Sequence, residues 1–162
     1  MDTAEIITLV IANTVAWLVI HLACAHFGTR IPLRRFDRDC WPFRIYAFES
    51  SGLLYERVFG VKHWKERLPD GAKWLQGGFE KKRLKSRDSD YMLDFVRETR
   101  RAELIHWVVF WSATVFYIWN PPWVLKWMFL YAALANFPCI IAQRYNRNRF
   151  ERVLRKTHAV SD

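Results

Sequence analysis

Glu103 and His106 stand three residues apart in a stretch that reads as helix, so a carboxylate and an imidazole share one helical face. That pairing suits a general base. The carboxylate holds the ring in one tautomer, and the ring takes a proton from a hydroxyl. The same residues admit a plainer reading, in which Glu103 pairs with Arg100 or Arg144 and His106 bonds a backbone carbonyl. Further along, Gln143-Arg144-Tyr145-Asn146-Arg147-Asn148-Arg149 gathers three guanidinium groups whose forked donors match phosphate. Anchoring to lipid headgroups and capture of a carrier's phosphates both fit such a cluster. Asn136 offers an amide to a developing oxyanion. His21 and His106 are a conceivable haem pair, but no second pair, attachment motif or redox cysteine accompanies them.

Other chemistries find no support. The chain has no Gly-x-Ser-x-Gly elbow, Walker loop, Rossmann glycine pattern, His-Glu-x-x-His or His-x-x-x-x-Asp. Cys24, Cys40 and Cys139 are too few for a disulfide framework and lack zinc spacing, so free thiols and no metal are expected.

The positioning elements follow from how apolar and charged residues are distributed. The 162 residues are 52% hydrophobic and 17% aromatic with a net charge of +9, yet their mean hydropathy is only -0.11, so greasy and charged stretches are segregated. One domain is expected over residues 1–162. From Ile6 to Phe27 no Asp, Glu, Lys or Arg occurs, a helix of about 33 Å at 1.5 Å per residue and therefore of bilayer length. Ala23-Cys24-Ala25 mimics a signal-peptidase site, but Asp2 and Glu5 precede the apolar run where a signal peptide carries positive charge, so a retained anchor is expected. A second uncharged run goes from Leu104 to Trp119, Asn120-Pro121-Pro122 breaks it, and a third from Trp123 to Gln143 carries only Lys126.

The fold class predicted is an all-α membrane protein with three spans, about 6–28, 103–120 and 122–143, the last two forming a hairpin. Basic residues set the orientation. Residues 30–101 hold eighteen Lys and Arg against eleven Asp and Glu, and the tail 144–162 holds six against two, which places both on the cytoplasmic side with the amino terminus outside. The segment 30–101 is too polar to span but carries Trp41, Phe43, Tyr46, Phe48, Tyr55 and Phe59, the mixture expected of amphipathic interfacial helices on the inner leaflet. Residues 77–90 read as a polar loop before a helix that starts near Asp90. Gly28 reads as the cap that ends the first helix. This topology brings His21, His26, Glu103, His106 and Asn136 into the cytoplasmic half of the bundle. The basic charge is explained by the membrane, and no nucleic-acid partner is expected.

Several ordered blocks carry a resemblance. Gly28-Thr29-Arg30-Ile31-Pro32, Trp64-Lys65 with Asp70-Gly71, Glu98-Thr99-x-Arg101-Ala102-Glu103-Leu104-Ile105-His106-Trp107, Ala135-Asn136-x-Pro138 and Gln143-Arg144-Tyr145-Asn146-Arg147 resemble the glycosyl-4,4'-diaponeurosporenoate acyltransferases. The resemblance runs from about residue 21 to 155, with Asn148 standing where the family wording has Pro. It implies a multi-pass enzyme of the bacterial cell membrane, active site toward the cytoplasmic leaflet. Such an enzyme esterifies the sugar hydroxyl of a C30 carotenoid glycoside of the staphyloxanthin type, or a related glycolipid, with a fatty acyl group.

With that resemblance, His106 and Glu103 become the expected catalytic pair. Asn136, Asp70, Lys65 and Trp64 are expected at the oxyanion or substrate, and Arg30, Arg101, Arg144, Arg147, Tyr145 and Asn146 at the donor's phosphates. No permanently bound cofactor is expected; acyl-coenzyme A or an acyl-carrier-protein thioester would be co-substrate. The alternative is a non-catalytic glycolipid-binding or scaffold protein of a carotenoid or lipid biosynthetic complex.

Overall fold

The first helix, α1 (Thr3–Thr29), begins at a capping box: Asp2 Oδ1 accepts the Glu5 amide at 2.7 Å and Glu5 Oε2 accepts the Asp2 amide at 2.8 Å. In this computed structural model, which describes residues 2–68 and 89–161, the remaining elements are short helices followed by two long ones. They are 3-10 turns at Leu33–Phe36, Ala47–Gly52 and Lys65–Arg67, the helices α2 (Leu53–Phe59), α3 (Val61–Trp64) and α4 (Ser89–Trp111), a 3-10 segment Ser112–Ile118, and α5 (Pro122–Ser161). Among the described residues there is no strand. Short helices of the kind expected after α1 are present among the described residues; of the polar loop expected at 77–90, residues 77–88 lie outside them, and α4 starts at Ser89, next to the helix start expected near Asp90.

Two helices, α1 and α5, are long and apolar enough to cross a membrane. The predicted span 103–120 is not one α-helix. Its first half belongs to α4 and its second half is the 3-10 segment. Hydroxyls account for the change of winding: Ser112 Oγ donates to the Val109 carbonyl at 2.6 Å and Thr114 Oγ1 to that of Trp111 at 2.8 Å, each three residues back, tightening the turn. Beyond it, Asn120-Pro121-Pro122 reverses the chain as expected, and Asn120 takes a further part. It exchanges amide bonds with Asn13 of α1, Nδ2 to Oδ1 at 2.9 Å in both directions, while Trp119 Nε1 donates to Asn13 Oδ1 at 2.8 Å. Such reciprocal amides fix the register of α1 on the hairpin.

The packing core sits where the three long elements meet. Trp17 of α1 stacks on Phe116 with ring centres 4.6 Å apart, and Val109, Ala113 and Ala132 close the cluster. Lower down, α1 and α4 touch at Gly28. This glycine lies inside the helix, not at a left-handed cap, and an added Cβ would stand 2.4 Å from Ile105 Cγ1. Its role is close approach. Gly28→Val is therefore expected to force the helices apart and to cost about 1–3 kcal/mol, read as a lowered melting temperature of the purified protein.

Candidate active site

Below the Gly28–Ile105 contact, α4 carries a row of arginines whose donors go to backbone. Arg101 is buried; its Nη1 donates to the Thr29 carbonyl at 2.7 Å and the Ile31 carbonyl at 3.1 Å, and its Nη2 pairs with Glu98 at 2.6 Å. It satisfies carbonyls that the end of α1 leaves without amides. Arg100 likewise bonds the Phe36 and Asp37 carbonyls at 2.8 and 2.9 Å and pairs with Glu151 at 3.1 Å. Arg97 pairs with Asp37 and Asp94. These three clamp the chain that follows α1 onto α4. Arg101, expected at the donor's phosphates, is placed with its guanidinium bonded to Thr29, Ile31 and Glu98.

At the next turn lies a buried ionic cluster. Glu103 is fully buried; Oε1 accepts from Arg144 Nη1 at 2.9 Å and more distantly from Trp107 Nε1 at 3.4 Å, while Oε2 lies 2.7 Å from Arg147 Nη2. The Arg147 contact is charge against charge rather than an aligned hydrogen bond. Arg144 continues to a second carboxylate. Its Nη2 donates to Glu49 Oε1 at 2.6 Å and the Arg44 carbonyl at 2.9 Å, its Nε to the Tyr55 hydroxyl at 3.0 Å, and its Nη1 also to the Pro42 carbonyl at 3.1 Å. Two carboxylates and two guanidinium groups leave the cluster neutral. Of the two pairings weighed for Glu103, the plainer one with Arg144 is observed; Arg147 is fully buried and Arg144 partly so. The two arginines expected at the donor's phosphates are thus engaged with Glu103, and Arg144 also with Glu49.

Sequence reasoning missed Glu49. It has no accessible surface and accepts four hydrogen bonds: from Arg144, from the Tyr46 amide at 3.0 Å, from the Tyr55 hydroxyl at 2.7 Å and from Asn148 Nδ2 at 2.7 Å. A lone Glu in Phe48-Glu49-Ser50-Ser51 carries no local signal. Gly52, at φ +93°, turns the chain between Glu49 and Tyr55 so that both face Arg144. Asn148 also gains meaning, since proline there would delete a donor to Glu49.

Burial raises the Glu49 carboxyl, but the bonds from Arg144, Tyr46 and Tyr55 outweigh it and hold the group below its usual 4.5. Burial first, and then Glu49, push the Tyr55 hydroxyl up to about 12. A depressed folded-state carboxyl contributes stability that is complete above the unfolded pKa and is lost as the pH falls through the folded one. Thermal melts on acidification should therefore stay level down to about pH 5 and fall below it, with Glu49→Gln flattening that fall.

One turn above the cluster, His106 and Asn136 meet across α4 and α5. His106 Nδ1 and Asn136 Oδ1 are 3.0 Å apart, and Asn136 Nδ2 donates to the Ala132 carbonyl at 2.8 Å. The second bond fixes the amide: its nitrogen must face the carbonyl, so its oxygen faces the imidazole. Nδ1 must then carry the hydrogen, and the lone pair of the neutral ring resides on Nε2. The side chain seen against His106 is thus Asn136, while Glu103 turns to Arg144 and Arg147.

The other expected residues are distributed around these two groups. Lys65 donates to Asn146 Oδ1 at 3.1 Å; Trp64 Nε1 donates to the Phe59 carbonyl at 2.7 Å and packs on the Tyr55–Val61–Tyr145 cluster. Tyr145 is buried, and its hydroxyl donates to Glu56 at 2.8 Å. Arg30 is exposed just past α1, and His26 is exposed near its end. His21 Nε2 lies 3.5 Å from the Tyr131 hydroxyl, with its ring against Trp17. Asp70 and Gly71 lie outside the described residues. Cys24 and Cys40 are unpaired thiols, Cys139 Sγ bonds the Ala135 carbonyl, and among the described residues no group of His, Cys, Asp and Glu is placed to hold a metal ion.

The described residues are helical, with two helices of membrane length, a buried ionic cluster and an imidazole bonded to an amide one turn away from it. Residues 36–156 match the family described as glycosyl-4,4'-diaponeurosporenoate acyltransferase. The proteins of that name from Staphylococcus aureus strains USA300 and NCTC 8325 / PS 47 are each 36% identical to it over 140 residues, spanning 86% of this chain and 84% of the relative; the protein from strain MRSA252 matches over the same extent. No solved structure matches. The chain belongs to this family, and it is an O-acyltransferase.

Proposed function

We propose that the protein esterifies the sugar hydroxyl of a glycosylated C30 carotenoid, or a related glycolipid, with a fatty acyl group taken from an acyl thioester. The observation that carries the mechanism is the His106–Asn136–Ala132 chain, which gives the imidazole a defined basic nitrogen. His106 Nε2 takes the hydroxyl proton as the sugar oxygen attacks the thioester carbonyl. The tetrahedral adduct expels the thiolate, which takes the proton back from the imidazolium, leaving ester and thiol. No covalent enzyme intermediate is required. Glu103, Arg144 and Glu49 act as the floor that holds α4 and α5 at the spacing this chain needs.

Membrane placement rests on exposure. Ile6, Ile7, Val10, Ile11, Val15, Leu18, Val19, Leu22 and Phe27 of α1 all lie on the protein's surface, and only Trp17 and Gly28 of that helix are buried. A helix apolar all round and unburied belongs in lipid. We read the Ser112–Ile118 half of the hairpin as within the bilayer too, because Trp111, Val115, Tyr117 and Ile118 are exposed. This makes three spans of one membrane unit, with the amino terminus outside and the ionic cluster at the cytoplasmic leaflet. Both substrates would then present their reacting ends to His106 from the lipid side.

Purified protein incubated with the glycosylated carotenoid and an acyl thioester should yield a lipid heavier by one acyl group on mass analysis. Absence of that product over a panel of glycolipid acceptors and thioester donors would overturn the reading.

A further inference from the structure

Beyond the ionic cluster, two cations converge on one aromatic ring. Lys65 Nζ stands 5.0 Å from the centre of the Tyr145 ring and bonds Asn146 Oδ1 at 3.1 Å. The Arg149 guanidinium lies 5.6 Å from the same ring centre, and its Nη1 donates to the Tyr145 hydroxyl at 3.1 Å. Among the described residues no carboxylate is within ion-pair distance of either. The nearby Glu56 is already held by Lys62 at 2.6 Å and by the Tyr145 hydroxyl at 2.8 Å. Burial, and then the charge of Arg149, hold the Lys65 ammonium below the usual lysine range. The ammonium has three N–H donors and the guanidinium five, so both keep donors to offer. An anion between them relieves the repulsion and uses those donors.

Distance selects among phosphate-bearing ligands. From Asn146 back to Asn136, which holds His106, is ten residues of α5, a rise of about 15 Å with a turn of about 80°. In a phosphopantetheine arm about fourteen bonds separate the phosphorus from the thioester carbonyl carbon, and at about 3.6 Å per three extended bonds they reach about 16 Å. In a glycerophospholipid about five bonds separate the phosphorus from the nearest ester carbonyl, which reaches only about 6 Å. Only the first of these spans the gap.

We propose that Lys65, Asn146 and Arg149 form the cradle for the phosphate of the acyl donor's phosphopantetheine arm, with the thioester delivered along α5 to His106. The proposal rests on the thioester reading above and deepens it, because it names the donor class by the group shared by coenzyme A and acyl carrier protein. It also places donor recognition on α3, its following turn and the far part of α5, instead of on Arg101, Arg144 and Arg147.

The test uses the full chain in phosphatidylcholine nanodiscs, titrated with 4'-phosphopantetheine and with pantetheine. The phosphorylated probe should bind at least about ten-fold more tightly, and the double variant Lys65→Gln, Arg149→Gln should erase the difference. In turnover, the same variant should raise KM for acyl-coenzyme A about ten-fold while leaving kcat, and KM for acyl-pantetheine, unchanged. Equal binding of the two probes by the wild type overturns the cradle. So does displacement of 4'-phosphopantetheine when phosphatidylglycerol replaces phosphatidylcholine, which would make this a lipid-headgroup site. Discrimination between the probes without any ester formed would leave the phosphate site standing and remove the acyl-transfer reading instead.

Discussion

His106→Ala should lower kcat for ester formation by about 10²- to 10⁴-fold, the range that a positioned general base supplies. The variant should still insert and melt as the wild type does, because His106 is only partly buried and Asn136, which bonds it, keeps its bond to the Ala132 carbonyl. Asn136→Ala should fall between the two. The imidazole remains, but the acceptor that holds the hydrogen on Nδ1 is gone, so kcat drops while KM for the acceptor glycolipid stays put. Steady-state rates by mass analysis, with melting curves as the control for folding, check both. Full turnover by His106→Ala would remove the imidazole from the mechanism.

Glu103→Ala should destabilise the protein by about 3–5 kcal/mol, the usual result of removing one partner of a buried ion pair. The physical reason is the burial of what remains. Arg147 has no accessible surface, its only ion pair among the described residues is with Glu103, and its Nε and Nη1 have no hydrogen-bond acceptor. Without Glu103 a guanidinium would be left charged and uncompensated inside the protein. Arg144 would keep Glu49 and so fares better. Glu103→Gln retains an acceptor and should be intermediate. Thermal melting or denaturant titration of the purified variants measures the loss. A Glu103→Ala protein that melts like the wild type yet forms no ester would return Glu103 to a chemical role and remove the structural one.

Those two expectations separate residues that looked like a catalytic pair from their spacing. Three residues on a helix bring Glu103 and His106 to one face, and nothing local says which neighbour each will choose. The choice depends on which residues of α5 arrive opposite. Arg144 and Arg147 arrive at Glu103, and Asn136 arrives at His106 one turn along. The surroundings of Arg144 have a related cause: a run of arginines after an apolar stretch looks available from sequence, whereas Arg144 meets two carboxylates, a tyrosine hydroxyl and two carbonyls once the segment of Pro42, Glu49 and Tyr55 folds over it.

The amino-acid order alone determined the helical class, the apolar runs that became α1 and α5, the proline reversal at residues 120–122, the short helices that follow α1 and the family. Each is carried by composition or by residues near in sequence, where period, charge and turn chemistry act locally. The folded chain decided the rest: the 3-10 winding of Ser112–Ile118, the Asn13–Asn120 amide pair, the close approach at Gly28, the choice of Glu49 as the second carboxylate and the convergence of Lys65 and Arg149 on Tyr145. Those depend on contacts between residues far apart in the sequence. A buried charge takes whichever opposite charge packing brings within reach, and that becomes definite only when the helices are together.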